Sequence, residues 1–500
     1  MHIVHIAAEL APIAKVGGLA DVLLGLTREL SCSGHDIDII MPKYDCMDSD
    51  LVRDLVIDNA NLMSFFEGDY FSNTIWCGWV ENLKVYFIEP HHPRLFFKRG
   101  CFYGCHDDME RYLFFCRATI EFMYKKQLRP AIIHLHDWQT AVLAPLYYDV
   151  YNSLGFCQAK VVYTIHNLEY QGRCSPANLS KIGLDGRAYC TSDKLLDPLY
   201  PDVINLMKGG IVYSDYVTTV SPTYAKEIIT PLGGRGLDSL LRFYNNKFKG
   251  ILNGIDKNYW DPETDRYLPS HFSCREIPIN KHDHNVLDKK GYLKRTLRER
   301  LLLAEEHSPI VSCIARLVPQ KGTELIKHAI SYIAKTTGQF ILLGISPIPT
   351  IADEFHALRQ TFADHPRISI NLHHNEELSH LVFAGSDMII LPSIFEPCGL
   401  TQLIGLRYGT IPLVRRTGGL ADTIFDVEFS DKSEQMRNGY CFDDPTIQAM
   451  ETTLDRAISH WYEEPNSWHH LVVRAMKCDF SWTIPAEQYL EIYQQLAQRA

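Results

Sequence analysis

His2-Ile3-Val4-His5-Ile6-Ala7 is followed by a short loop ending in Lys15-Val16-Gly17-Gly18-Leu19-Ala20-Asp21. The first run is short and rich in β-branched residues, which reads as a strand buried on both faces. The second places paired glycines where a helical pattern, Leu19–Leu30, begins. A strand, a glycine-bearing loop and a helix in that order form the first half of a βα unit. The same five letters recur as Gly418-Gly419-Leu420-Ala421-Asp422, again where a loop should enter a helix. The echo suggests two similar halves.

Working outward, short apolar runs alternate with longer amphipathic ones. In the first half the strand candidates are His2–Ala7, Asp36–Met41, Lys84–Ile88, Ala131–Leu135, Lys160–Ile165, Tyr216–Val220 and Lys249–Leu252. Helical patterns fall at Leu19–Leu30, Met109–Lys126 and Val203–Ser214. A second series runs through Pro309–Ala315, Phe340–Leu343, Arg367–Asn371, Asp387–Leu391 and Thr410–Val414. Residues 256–308 between them are polar, with a weak strand signal. The turn signal Asn253-Gly254 marks the boundary. The expected domains are 1–255, 256–478 and a C-terminal helical segment, 479–500. In that segment Trp482 to Gln498 reads as a helix with Tyr489, Ile492 and Leu496 on one face.

Five hundred residues exceed one ordinary core, so two domains are expected. The formal charge of −11 argues against nucleic acid or an anionic membrane as the main partner, since both reward clustered Lys and Arg. The N-terminal apolar run is broken by Glu9 and lacks a basic flank, so no signal peptide is read. No segment is apolar over the length a membrane span needs. The expected location is cytoplasmic, and the 14 scattered cysteines are expected to be reduced thiols. Cys101 and Cys105-His106 have no second ligand pair at a finger-like spacing, so no metal is expected.

In open α/β sheets ligands sit beyond the carboxyl ends of the strands. After the first strand, Lys15, Gly17 and Gly18 combine a cation with backbone amides at a helix start, a suitable anion grip or simply a tight turn. After the first strand of the second series comes Arg316-Leu317-Val318-Pro319-Gln320-Lys321-Gly322. Its two cations suit a diphosphate, although a surface pair reads the same way. After Asp387–Leu391 comes Pro392-Ser393-Ile394-Phe395-Glu396-Pro397-Cys398-Gly399-Leu400-Thr401-Gln402. Here a carboxylate precedes a glycine that opens a helix, while Cys398 reads as a packed small residue. Two polar clusters, His134-Leu135-His136-Asp137-Trp138 and His166-Asn167-Leu168-Glu169, also follow strands and suit sugar hydroxyls.

Taken in order over nearly the whole chain, these motifs resemble those of bacterial and plastid glycogen (starch) synthases, retaining glucosyltransferases of the GT-B architecture. The matching segments include Lys15-Val16-Gly17-Gly18-Leu19-Ala20-Asp21, His136-Asp137-Trp138, His166-Asn167, Asn253-Gly254-Ile255-Asp256, Arg316 with Lys321-Gly322, Phe395–Leu403 and Leu413–Thr423. The resemblance implies two Rossmann-like α/β domains facing a deep interdomain cleft, with a C-terminal helix crossing back to the first. It implies transfer of glucose from a nucleotide-diphosphate glucose to the 4-OH of an α-1,4-glucan with retention. Arg316 and Lys321 would neutralise the leaving diphosphate in place of a metal ion, helped by amides near Gly18 and Gly399–Thr401. His166, Asn167 and Asn253 would hold the donor glucose, with Asp137 near the reacting centre and Glu396 supporting an oxocarbenium-like transition state. Lys15 and Asp21 would complete the site from the other domain, and no cofactor is implied.

Three departures concern the nucleotide. The family's Gly-x-Gly-Asp loop reads Gly344-Ile345-Ser346-Pro347 here, and His374 stands where a Tyr often stacks on adenine. The position eight residues after Glu396, a second Glu in many GT-B enzymes, is Ile404. ADP-glucose is the family's usual donor, with UDP-glucose the alternative. The competing readings are a GT-B transferase with another acceptor and a catalytically silent glucan-binding protein on the same fold.

Overall fold

The computed structural model describes residues 1–274, 284–373 and 375–498. They form two compact units, one comprising Met1–Gly254 with the segment from Trp482, the other Ile255–Ser481.

The strands of the first unit are β1 (His2–Ile6), β2 (Asp36–Pro42), β3 (Arg53–Phe66), β4 (Asp69–Val80), β5 (Leu83–Pro90), β6 (Ile132–His136), β7 (Lys160–Ile165), β8 (Arg173–Cys174), β9 (Ile204–Asn205), β10 (Tyr216–Thr219) and β11 (Phe248–Gly250). Nine build one sheet in the order β11-β10-β7-β6-β1-β2-β5-β4-β3, while β8 and β9 pair separately. From β11 to β5 all neighbours are parallel, with Ile3 beside both Ile37 and Ile132. In the order of the parallel strands the sheet doubles back between β1 and β6, as in a doubly wound fold. The helix Gly18–Cys32, read from the sequence as a helical pattern over Leu19–Leu30, buries Leu19, Val22, Leu23, Leu24, Leu26 and Leu30. A Cβ on its Gly25 would lie 1.9 Å from the indole of Trp482, so glycine leaves the space that the C-terminal helix Thr483–Ala497 needs to dock. That helix buries Tyr489, Ile492, Tyr493 and Leu496.

Two features depart from the sequence reading. The antiparallel pair β3–β4 carries no matching expectation, because most of β3 is exposed and lacks a continuous apolar run. Residues 203–214 are not one helix: Ile204–Asn205 pairs with β8, and the helix Leu206–Tyr213 starts where the Asn205 side chain accepts the Lys208 N–H at 2.9 Å.

The second unit holds β12 (Ile310–Arg316), β13 (Gln339–Ile345), β14 (Ile368–Asn371), β15 (Met388–Leu391), β16 (Ile411–Arg415) and β17 (Tyr440–Phe442). They form a wholly parallel sheet, β14-β13-β12-β15-β16-β17, which doubles back between β12 and β15. Val311, Phe340, Ile341, Leu342, Ile389, Leu413 and Val414 are fully buried at its centre, the pattern expected when helices cover both faces. The polar segment after residue 256 contains a helix, His284–Leu301, with Leu293 and Leu297 fully buried.

Candidate active site

In each unit most of the residues singled out from the sequence lie at or beside the point where the strand order reverses. There adjacent loops leave the sheet in opposite directions and open a crevice. In the first unit that point is flanked by the loops after β1 and β6.

The loop after β1 is held by a residue that was not anticipated as part of the site. Glu9 is buried and accepts the Val16 N–H at 2.8 Å and the Gly17 N–H at 3.0 Å on one carboxylate oxygen. Its other oxygen accepts the Tyr103 hydroxyl at 2.8 Å. Burial pushes the Glu9 carboxyl up, against these hydrogen bonds. The loop thus presents Lys15, which pairs with Asp21 at 2.9 Å in the first turn of the helix that Gly18 starts. A Cβ on Gly17 would meet nothing within 4 Å, so space is open beside that backbone.

After β6, Asp137 has φ 56°, the left-handed region that is uncommon outside glycine. The twist turns its carboxylate towards the next strand's loop, where it accepts the N–H of His166 at 2.7 Å and of Asn167 at 3.3 Å. Burial pushes this carboxyl up to about 7, with the Glu9 charge adding to the rise and the two N–H donors opposing it. His166 is held by a chain of imidazoles. Its Nε2 shares a hydrogen bond with His136 Nδ1 at 3.0 Å, and His136 Nε2 another with His5 Nδ1 at 3.1 Å. Burial lowers the pKa of His5 and of His166 to about 3, so both rings are neutral at physiological pH.

His5, His134 and His136 are the one such cluster of candidate metal ligands among the described residues. Their geometry is that of a hydrogen-bonded core. His134 is engaged at both nitrogens, by Tyr493 and Thr164 at 2.7 Å each, and His136 likewise by His5 and His166. Asn253 follows β11 on the same edge of the sheet. It is buried, and its Oδ1 has no hydrogen-bond partner among the described residues. An orphaned buried acceptor is costly unless a ligand satisfies it.

In the second unit the loops after β12 and β15 meet. Lys321 Nζ lies 2.5 Å from Glu396 Oε2, which also accepts the Ser393 hydroxyl at 2.9 Å. Glu396 is only 4% exposed. The close approach depends on Gly322, at φ +71°: a Cβ there would sit 2.2 Å from the Pro392 carbonyl oxygen. Ile394 N–H donates to Gln320 O at 2.8 Å and ties the loops together. Arg316, at the end of β12, is exposed, and its guanidinium makes no hydrogen bond or ion pair among the described residues. Ala315, Lys321, Pro392, Ser393 and Thr401 line a small recess beside this pair. Gly399, at φ +74°, and Leu400 lead into the helix Thr401–Arg407, with Cys398 buried behind them. The repeated glycines at 418–419 pack here: a Cβ on Gly418 would meet the Glu396 carbonyl oxygen at 1.8 Å, and one on Gly419 that of Cys398 at 2.2 Å. The echo is therefore one of form only, since Gly17 faces open space and Gly418 is wedged against the site.

Lys15, Gly17, Gly18, Asp21, Asp137, His166, Asn167 and Asn253 are thus gathered on the carboxyl edge of the first sheet, and Arg316, Lys321, Glu396 and Cys398–Thr401 on that of the second. His374 lies outside the described residues. Glu9, Tyr103, His5 and Ser393, which were not singled out, act from behind those that were. Their only sequence signal is a polar residue within or beside an apolar run.

Comparison with known proteins bears on the family of the chain. The family model described as the starch synthase catalytic domain matches residues 2–243, and that of the group 1 glycosyl transferases matches residues 295–470. A protein of Protochlamydia amoebophila named glycogen synthase is 63% identical over 497 residues, 99% of each chain. A probable starch synthase 4 of Arabidopsis thaliana is 47% identical over all of this chain and 47% of its own length. The solved catalytic domain of Starch Synthase IV from Arabidopsis thaliana, bound to ADP and acarbose, superposes with a TM-score of 0.95 at 46% identity, covering 99% of each chain. The chain belongs to the glycogen and starch synthase family of GT-B glycosyltransferases.

Proposed function

We propose that the protein transfers glucose from ADP-glucose to the non-reducing 4-OH of an α-1,4-glucan, with retention of configuration, in the cytoplasm. The observation that carries this reading is the pairing of a buried carboxylate, Glu396, with Lys321 at 2.5 Å, next to the exposed Arg316. Such a group has cations for a leaving diphosphate and an anion for the positive charge that develops on the sugar. In the proposed reaction the bond from glucose C1 to the diphosphate oxygen breaks as Arg316 and Lys321 take up its charge. The glucan 4-OH then bonds to C1 on the face the diphosphate leaves, and its proton passes to the departing oxygen.

The first unit's residues are assigned to the sugar and the anion. His166, neutral and fixed by His136, and the unpartnered Oδ1 of Asn253 suit glucose hydroxyls. Asn167 lies beside His166, while Asp137 is placed near the reacting carbon. Lys15 and the amides around Gly17–Gly18 add positive potential for phosphate, and Asp21 orients Lys15. The ADP bound by the Arabidopsis catalytic domain supports an adenine-nucleotide donor, and the acarbose bound there supports a glucan acceptor. No described helix is long and apolar enough to cross a membrane.

The test is elongation of maltoheptaose with ADP-glucose, the products resolved by chain length and their new linkage assigned by NMR. A ladder of longer α-1,4-chains is the expected result. Unchanged maltoheptaose beside consumed ADP-glucose would overturn the acceptor, and β-linked product would overturn retention.

A further inference from the structure

Between β5 and the helix Asp108–Lys125, the chain makes a tight loop that the proposed catalysis does not use. It brings Cys101 Sγ to 3.4 Å from Cys105 Sγ. Gly104, at φ +93°, turns the backbone back on itself between the two thiols. The loop is firmly built: the Asp108 carboxylate accepts the Gly104 N–H at 2.8 Å and the Cys105 N–H at 3.0 Å, and Arg99 pairs with Asp107 at 2.5 Å. Both thiols are half-buried, so a small oxidant reaches them. Midway between them stands Tyr103, whose hydroxyl holds Glu9 at 2.8 Å. Glu9 in turn holds the backbone of Val16 and Gly17 beside Lys15.

We propose that Cys101 and Cys105 are a modification site, joined into a reversible disulfide by a hydroperoxide, and that the bond lowers the enzyme's activity through Tyr103 and Glu9. At 3.4 Å either sulfur can follow the other. The first bonds to one peroxide oxygen as the O–O bond breaks, releasing alcohol or water and leaving a sulfenic acid. The second sulfur then displaces hydroxide, which leaves as water with the thiol proton. The two thiols lose two electrons and two protons, and the hydroperoxide is reduced. Bond formation draws the sulfurs from 3.4 Å to about 2.05 Å and displaces the loop that carries Tyr103. A disulfide closing so short and accessible a loop belongs to the easily reduced class, suited to reversal.

The experiment treats the reduced full-length protein with hydrogen peroxide, alkylates the remaining thiols and follows the tryptic peptide spanning residues 100–111, which holds both cysteines. The expected result is a peptide lighter by two hydrogens and unalkylated, with glucose incorporation into glycogen reduced at least about fivefold and restored by dithiothreitol. The Cys101→Ser, Cys105→Ser double variant should match the reduced wild type and resist peroxide. Full alkylation of this peptide while exposed Cys32 and Cys157 are oxidised would overturn the proposal. So would a disulfide with unchanged activity, or equal peroxide loss in the double variant. The activity arm rests on the proposed synthase reaction. If the reduced enzyme incorporates no glucose, that reading fails, while the peptide mass still decides whether the disulfide forms.

Discussion

Replacing Lys321 with Ala separates stability from catalysis, because the structure pairs Lys321 with Glu396 and the proposed reaction sets it against the leaving diphosphate. Among the described residues its ammonium is the only cation paired with the Glu396 carboxylate, 2.5 Å away, and the Ser393 hydroxyl at 2.9 Å is the other partner. Removing one side of a sealed ion pair costs about 3–5 kcal/mol. Here the Lys321 side chain is 25% exposed, so water can take part of its place, and a loss of about 1–3 kcal/mol is expected. Loss of a charge that stabilises the leaving group costs about 3–4 kcal/mol of transition-state energy, or about 10²–10³ in turnover. The assay is thermal unfolding beside glucose incorporation, for Lys321→Ala and for Lys321→Ala with Glu396→Gln. The double variant leaves no unpaired charge at this position, so it should regain much of the lost stability while its turnover stays low. Turnover of Lys321→Ala within about threefold of wild type would refute the role of this cation in catalysis. Recovery of turnover in the double variant would show that misfolding, not chemistry, had been measured.

Arg316→Ala should lower turnover by roughly two orders of magnitude yet leave the melting temperature within about 1 °C, since its exposed guanidinium makes no bond among the described residues. A parallel loss of both would contradict its assignment as a free arm for the diphosphate. Asp137→Asn should remove activity and show a pH-dependent stability gain. Burial raises the Asp137 carboxyl to about 7, so the folded protein holds this proton more tightly than the unfolded chain does. Wild-type stability from this group is therefore full below the unfolded value near 3.8 and falls as pH rises towards 7. The melting temperature of Asp137→Asn relative to wild type should accordingly be higher at pH 8 than at pH 5, and an offset independent of pH would refute the argument. Gly418→Ala should destabilise by about 2–4 kcal/mol, because it combines φ +45° with a Cβ 1.8 Å from the Glu396 carbonyl oxygen. Gly17→Ala, in extended backbone with open space around it, should cost less than about 0.5 kcal/mol, as thermal melts of the two would show.

The parallel strands of the two sheets were legible because the central ones are buried on both faces and so read as apolar runs rich in β-branched residues, as Lys160–Ile165 does. The β3–β4 hairpin was not, since a strand such as Arg53–Phe66 that faces water carries no such run. Polar residues just after strands pointed to Asp137, His166, Lys321 and Glu396, because that is where α/β sheets place ligands. The supporting residues were hidden. Glu9 reads as an interruption of an apolar run, and only folding brings Tyr103, 94 residues away, onto its carboxylate. Likewise His5 becomes intelligible once β1 lies beside β6 and the imidazoles line up. The glycine echo was visible but its meaning was not, since one copy faces space and the other packs on a carbonyl.

The most direct test of the central claim is glucose incorporation into glycogen, with ADP-glucose and UDP-glucose side by side and Glu396→Ala as the blank. Incorporation from ADP-glucose above that from UDP-glucose, abolished in the blank, is the predicted result. No incorporation from either donor, or an equal rate in the blank, would contradict it.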